Sequence, residues 1–290
     1  MKTLKPELSR SQYPHTERPA ARSNQHGRLA ERGGVDTANP KKAQFPVRPL
    51  DRGEAIYAQG DPADFVYILV SGWVGLHQDL ADGRRHIGKF LLQGALFGLE
   101  PRGFSHCQGA NALTPGAICS IPMARFDEMR RENSQFNECL LLMLERENHM
   151  ATEALTAMGR GTAIERVARV FCELATRLTE AGTGCAKVTV KVPLTQRLIA
   201  DAAGLTAIHV NRVLARLRVE RLVELHNGVM TVCDLKRLAA LGGVTSGLSK
   251  MWRDDVASGS LHLAERERSH LVSTFRGVTG SRLSQPAPPQ

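Results

Sequence analysis

The sequence predicts an α+β chain built in three successive parts: short strands, one long helix, and two short helices followed by a hairpin. Three observations predict it. Over residues 50–121, apolar runs of strand length alternate with Gly-containing turns. Residues 124–158 contain neither Pro nor Gly and repeat their apolar residues at helical spacing. Residues 193–233 place two N-cap candidates around a glycine and end on Asn227-Gly228 between two apolar runs.

Residues 1–44 are rich in Arg, Pro, Gln, Ser and Gly and show little periodicity, which reads as a disordered basic tail. The tail is either a solvated extension or an arm that contacts phosphates without reading sequence. From residue 45 to 123 the runs FVYILVSG, WVGLHQ, HIGKFLL and AICSIP read as strands. Turn signals stand at Gly53, Gly60-Asp61-Pro62, Ser71-Gly72, Asp82-Gly83 and Gly94. Regular short strands of this kind form a barrel or a sandwich.

One helix is expected over 124–158, within a segment reaching residue 160. Leu141, Leu144, Asn148, Ala151, Leu155 and Met158 recur at heptad spacing, with Asn148 the one polar residue in the seam. Such a stripe pairs with a second copy or packs on the chain's own strands. Leu140 and Met143 supply a second strip, so both can hold. A further amphipathic helix is expected over 161–181, and Lys187–Val192 alternates as a strand.

Thr195 and Thr206 are N-cap candidates. Gly204 interrupts the apolar run between them. Val210, Val213, Leu214 and Leu217 then define one buried helix face over 206–217. Two short helices about a Gly-containing turn form a helix-turn-helix, and the Asn-Gly hairpin makes it winged. The second helix fits a DNA major groove. Its outer face carries Ile208, His209, Asn211, Arg212 and Arg216, while Thr195 and Gln196 open the first helix. Arg212 suits guanine O6 and N7, and Asn211 suits adenine N6 and N7. Taken singly, either residue would read as a solvated surface. Residues 161–243 are thus expected to form a DNA-binding domain, and 244–290 a disordered tail, with a short helix possible near 262–272.

Charge agrees with an anionic partner, nucleic acid first. The net charge is +9 and the pI about 9.6. Residues 187–242 hold nine Lys/Arg against four Asp/Glu, as do residues 1–44. No apolar run reaches the roughly 18 residues of a membrane span, and the N-terminus has no secretory h-region. The six cysteines, at 107, 119, 139, 172, 185 and 233, form no C-x-x-C pair and fit no zinc template. A reduced cytoplasmic compartment is expected.

The stretches LTQRLIADAAGLT and HVNRVLARL with their wing resemble the C-terminal domain of the Crp/Fnr family of bacterial transcription regulators. RGEAIYAQGDPADFVYILVSGWVGL and ADGRRHIGKFLLQGALFG resemble the jelly-roll β-roll sensor domain of the same family, shared with cyclic-nucleotide-binding domains. Together they cover about residues 48–242. The resemblance implies a homodimer paired along the long helix and reading a near-palindromic operator in double-stranded DNA. It implies RNA polymerase as a further partner if the chain activates. The recognition helix departs from the family at one position: Ile208 stands where Glu is usual, and a thymine methyl is its available contact.

The sensor departs further. The acidic residue that binds a cyclic nucleotide's ribose is replaced in Gly94-Ala95-Leu96. The phosphate stretch reads Ser105-His106-Cys107-Gln108, with no fixed guanidinium. Cyclic AMP is therefore not expected as effector, though a cyclic-nucleotide-responsive activator stays the alternative reading. ANALTPGAICSIPMARFDEM resembles the oxygen-responsive Fnr branch, with Cys119 on its internal cluster ligand. Residues 1–106 hold no cysteine, so an Fnr-type iron–sulfur cluster cannot form. Cys119 reads as a buried strand residue. Cys107, beside His106, is the other thiol candidate if the imidazole lowers its pKa. Gly94, His106, Cys107 and Cys119 are the effector-site candidates. His77, His86 and His106 lie apart without a carboxylate partner, so no metal, haem or other cofactor is expected. For the same reason an enzyme or metal-binding cupin reading is remote.

Overall fold

In the computed structural model, residues 45–179 and 187–259 are described, with side chains as far as Arg253. The N-terminal tail, the possible helix near 262–272 and Cys185 lie outside the described residues.

Eight strands build two four-stranded antiparallel sheets. One holds β1 (Val47–Leu50), β8 (Gly116–Pro122), β3 (Phe65–Ser71) and β6 (Leu96–Phe97) in that order. The other holds β2 (Ala55–Tyr57), β7 (Gly109–Ala112), β4 (Val74–Asp79) and β5 (Arg85–Leu91). Gly72 shows why glycine closes these turns. It sits at φ 89°, and an added Cβ would lie 2.9 Å from the Pro115 carbonyl oxygen. Leu50, Ile56, Leu69, Val74 and Ile118 fill the space between the sheets.

The helical pattern over 124–158 breaks once. α1 (Met123–Glu132) stops, and α2 (Ser134–Arg160) begins at an Asn133 held in extended backbone. The reason is local: Asn133 Oδ1 accepts from the Phe136 N–H at 2.9 Å, capping a new helix instead of continuing the old one. Phe136 and Leu140 of α2 pack with Phe126 of α1 on Val66, Cys119 and Ile121 of the roll.

α3 (Ala163–Leu178) opens where the Thr162 N–H donates to Glu165 Oε2 at 2.8 Å. Its Val167, Phe171 and Leu174 form the centre of the third part. Around it stand β9 (Val188–Lys191), α4 (Gln196–Ala203), α5 (Ala207–Val219), β10 (Val223–His226), β11 (Val229–Val232) and α6 (Leu235–Leu241). The sheet order is β10-β11-β9.

Beyond Gly243 the structure differs from the expected tail. α7 (Ser246–Gly259) follows Thr245, whose Oγ1 accepts from the Leu248 N–H at 3.2 Å. Leu248 and Trp252 are buried with Val167 and Phe171. Burying two side chains of this size contributes about 2–3 kcal/mol each, enough to hold a helix whose sequence alone is a weak former. Among the described residues, no single helix is long and apolar enough to cross a membrane.

Candidate nucleic-acid interface

The two short helices turn through 99° between Ala203 and Ala207. Each start is capped by its own threonine. Thr195 Oγ1 accepts from the Leu198 N–H, and Thr206 Oγ1 from the His209 N–H, both at 3.2 Å. Gly204 makes the corner in left-handed conformation, φ 63° and ψ 43°. α4 lies against β5 of the roll, where Nδ1 of His86 is hydrogen-bonded to the Asp201 carbonyl oxygen at 3.0 Å.

α5 presents two faces. Val210, Val213 and Leu217 are buried and Leu214 is half-buried. Ile208, His209, Asn211, Arg212 and Arg216 are exposed, Ile208 at 71 %. The expected reading face is therefore contiguous and open. Two of its members are tied within the protein: Gln196 Nε2 donates to Asn211 Oδ1 at 3.4 Å, and Arg216 Nε donates to Glu220 Oε1 at 2.8 Å. Arg212 has no such tie among the described residues. Arg218, exposed one position beyond Leu217, adds a cation that the sequence reading passed over. The wing closes through Asn227 at φ 49° and Gly228 at φ 73°. Two consecutive positive φ values make the type I′ turn that matches strand twist.

On α2, Leu141, Leu144 and Leu155 are exposed, with Asn148 and Ala151 beside them on the open side. Met158 differs. It is half-buried at the turn between α4 and α5.

The four effector candidates do not form one constellation. Gly94 is a turn residue, φ 89°, whose N–H donates to the Leu69 carbonyl at 2.7 Å. The acid that meets the phosphate stretch is Glu100, missed by the sequence reading: its Oε1 accepts from the Cys107 N–H at 3.1 Å and lies 3.8 Å from His106 Nδ1. His106 is 2 % exposed, with its ring stacked on Tyr57 at 3.7 Å between centroids. Tyr57 in turn stacks on Tyr67, and Tyr67 on Phe97. Aromatic rings thus pack together inside the roll next to the stretch that holds phosphate in cyclic-nucleotide sites. Burial lowers the His106 pKa despite Glu100.

The lowering considered for Cys107 is not found, while Cys119 is a buried strand residue as expected. Cys107 is exposed, but burial of its thiol and the neighbouring Glu100 carboxylate push its pKa up, and no lowering by His106 results. Cys119 is buried on β8 against Phe126, where burial pushes its thiol to about 12. Among the described residues, no group of three or more His, Cys, Asp or Glu side chains is placed to hold a metal ion.

Comparison with known proteins agrees with this layout. Residues 47–133 match the cyclic nucleotide-binding domain and residues 165–241 the Crp-like helix-turn-helix domain. The chain is 33% identical over 175 residues to the nitrogen fixation regulation protein FixK of Rhizobium meliloti, covering 60% of this chain and 76% of that protein. It is 33% identical over 194 residues to the transcriptional activatory protein AadR of Rhodopseudomonas palustris, covering 65% and 77%. The structure of FixK2 from Bradyrhizobium japonicum superposes with a TM-score of 0.63 at 30% identity, covering 70% of this chain and 99% of that one. A cyclic-nucleotide-binding-like roll followed by a DNA-binding helix-turn-helix, with relatives that regulate transcription, leads to one conclusion: the chain belongs to the Crp/Fnr family of transcription regulators.

Proposed function

We propose that two copies of the chain pair along α2 and read a near-palindromic operator, each inserting α5 into the major groove. The observation that carries this reading is the α5 face itself. Ile208 and Arg212 stand one helical turn apart, exposed, on a helix whose opposite face packs through Val210, Val213 and Leu217. Arg212 would take guanine and Ile208 a thymine methyl, with Asn211 reaching adenine once it releases Gln196. Half-sites would lie about 34 Å apart, centre to centre. Leu141, Leu144, Asn148, Ala151 and Leu155 would form the seam, Asn148 fixing register.

The stacked aromatic filling of the roll supports a regulator that binds DNA without cyclic AMP. To admit a nucleotide, the His106–Tyr57 stack would have to open. Selection from a random duplex pool by the purified chain, with no small molecule added, tests both points. A palindrome should be enriched. Enrichment only on adding cyclic AMP would transfer the reading to a cyclic-nucleotide-responsive activator. No enrichment in either condition would overturn the recognition-helix assignment. If the chain activates transcription, RNA polymerase is its further partner. A DNA-reading role places it in the cytoplasm.

A further inference from the structure

A cleft of about 80 Å³ opens where the roll meets the DNA-binding domain. Its walls are β5 from His86 to Phe90, the end of α2 around Met158, α3 from Arg166 to Leu174, and Ala202 of α4. The cations there are unequally matched. Lys89 is paired with Glu147. Glu173, the one acid in the wall, is held by Arg177 at 3.0 Å.

Arg166 and Arg169 are left over. Arg169 is only 9 % exposed, and no hydrogen bond or ion pair ties its guanidinium to a described residue. The Trp252 ring lies 5.6 Å from its guanidinium carbon, measured to the centroid, and the Glu173 and Glu153 carboxylates act on it without forming an ion pair among the described residues. Arg166 buries its Nε with no hydrogen-bond partner among the described residues. A buried guanidinium loses hydration that a stacked ring restores only in part. A buried Arg169 and a half-buried Arg166 with an orphaned Nε, one turn apart on α3, call for an anion. Planar guanidinium forks match an oxyanion, and two of them without an ion pair among the described residues match a phosphate.

We propose that this cleft binds a small phosphate-bearing molecule. Arg166 and Arg169 hold the phosphate, and the apolar wall of Met158, Val170 and Leu174 meets the remainder. The site is separate from the roll interior and from the α5 reading face. It touches the roll, α2 and the DNA-binding domain at once, so an occupant would stabilise their present arrangement.

Calorimetric titration of the full chain with inorganic phosphate and with glycerol 3-phosphate, at constant ionic strength, tests it. Saturable one-site binding is expected. Arg166→Met and Arg169→Met should each weaken it about tenfold, the loss of one charge-assisted contact. Arg212→Ala should bind phosphate as the parent chain does. Tighter binding of the ester would assign the site to an organic phosphate, and equal binding to free phosphate. The absence of saturable binding by the parent chain would overturn the proposal, as would unchanged binding in Arg166→Met. Arg166 is only half-buried, so that variant remains informative if Arg169→Met fails to fold.

Discussion

A Cβ built on Gly204 would lie 2.7 Å from the Cε of Met158, so the end of the long helix rests on the corner of the helix-turn-helix. Gly204 is also left-handed, at φ 63°. Gly204→Ala is expected to destabilise the chain by about 1–2 kcal/mol, mostly from the backbone, because a methionine methyl moves easily. Met158→Ala added to Gly204→Ala should recover only a few tenths of a kcal/mol. Urea denaturation of both variants checks this. Full recovery in the double variant would put the strain in the contact instead.

Ile208→Glu should change which operator the chain selects, not whether it selects one. A carboxylate at this exposed position accepts from cytosine N4, whereas isoleucine meets a thymine methyl. Repeating the random-duplex selection should therefore replace T by C at one position of each half-site. Arg212→Ala should weaken operator binding by about 1–3 kcal/mol. An unchanged selected sequence with Ile208→Glu would move the reading face elsewhere on α5.

His106 and His77 are both buried, and burial lowers both pKa values. Glu100, Asp61 and Asp64 oppose the shift at His106, and Asp79 opposes it at His77. Below about pH 6.5 the unfolded chain then binds more protons than the folded one. Stability contributed by the neutral imidazoles is present at neutral pH and is lost as pH falls through that value. His106→Phe keeps an aromatic ring on Tyr57 and removes one titrating group. Stability measured by denaturation between about pH 7 and 5 should fall less steeply, by at most about 1.4 kcal/mol per pH unit. An equal slope would show that His106 does not carry the effect.

What the sequence could show follows from how far each signal reaches along the chain. The helix-turn-helix and its wing rest on local chemistry: threonine caps at 195 and 206, a left-handed Gly204, and Asn227-Gly228. The break at Asn133 was hidden because an asparagine inside a Pro-free helical pattern looks like a solvated residue until its side chain bonds the Phe136 N–H. α7 was missed because its apolar residues are few and their partners, Val167 and Phe171, lie some eighty residues earlier. The same distance problem hid the roll interior. Tyr57 and His106 stack across nearly fifty residues, and the loop register that brings Glu100, rather than a residue beside Gly94, to the 105–107 stretch cannot be read from spacing.

Leu140 and Leu155 separate folding from pairing. Leu140 is buried on Phe126 and Ile121, while Leu155 is 73 % exposed in the single chain. Leu140→Ala should cost about 2–5 kcal/mol of stability, as cavity-forming changes do. Leu155→Glu changes a side chain that is mostly exposed in one chain, so a separated protomer should keep its stability within about 0.5 kcal/mol. Two glutamates facing each other across a seam would repel and lose apolar burial. Sedimentation equilibrium should then find Leu155→Glu monomeric at concentrations where the parent chain is dimeric. Operator affinity should drop with it, because one recognition helix replaces two on the palindrome. A dimeric Leu155→Glu chain with full operator affinity would remove this strip from the interface.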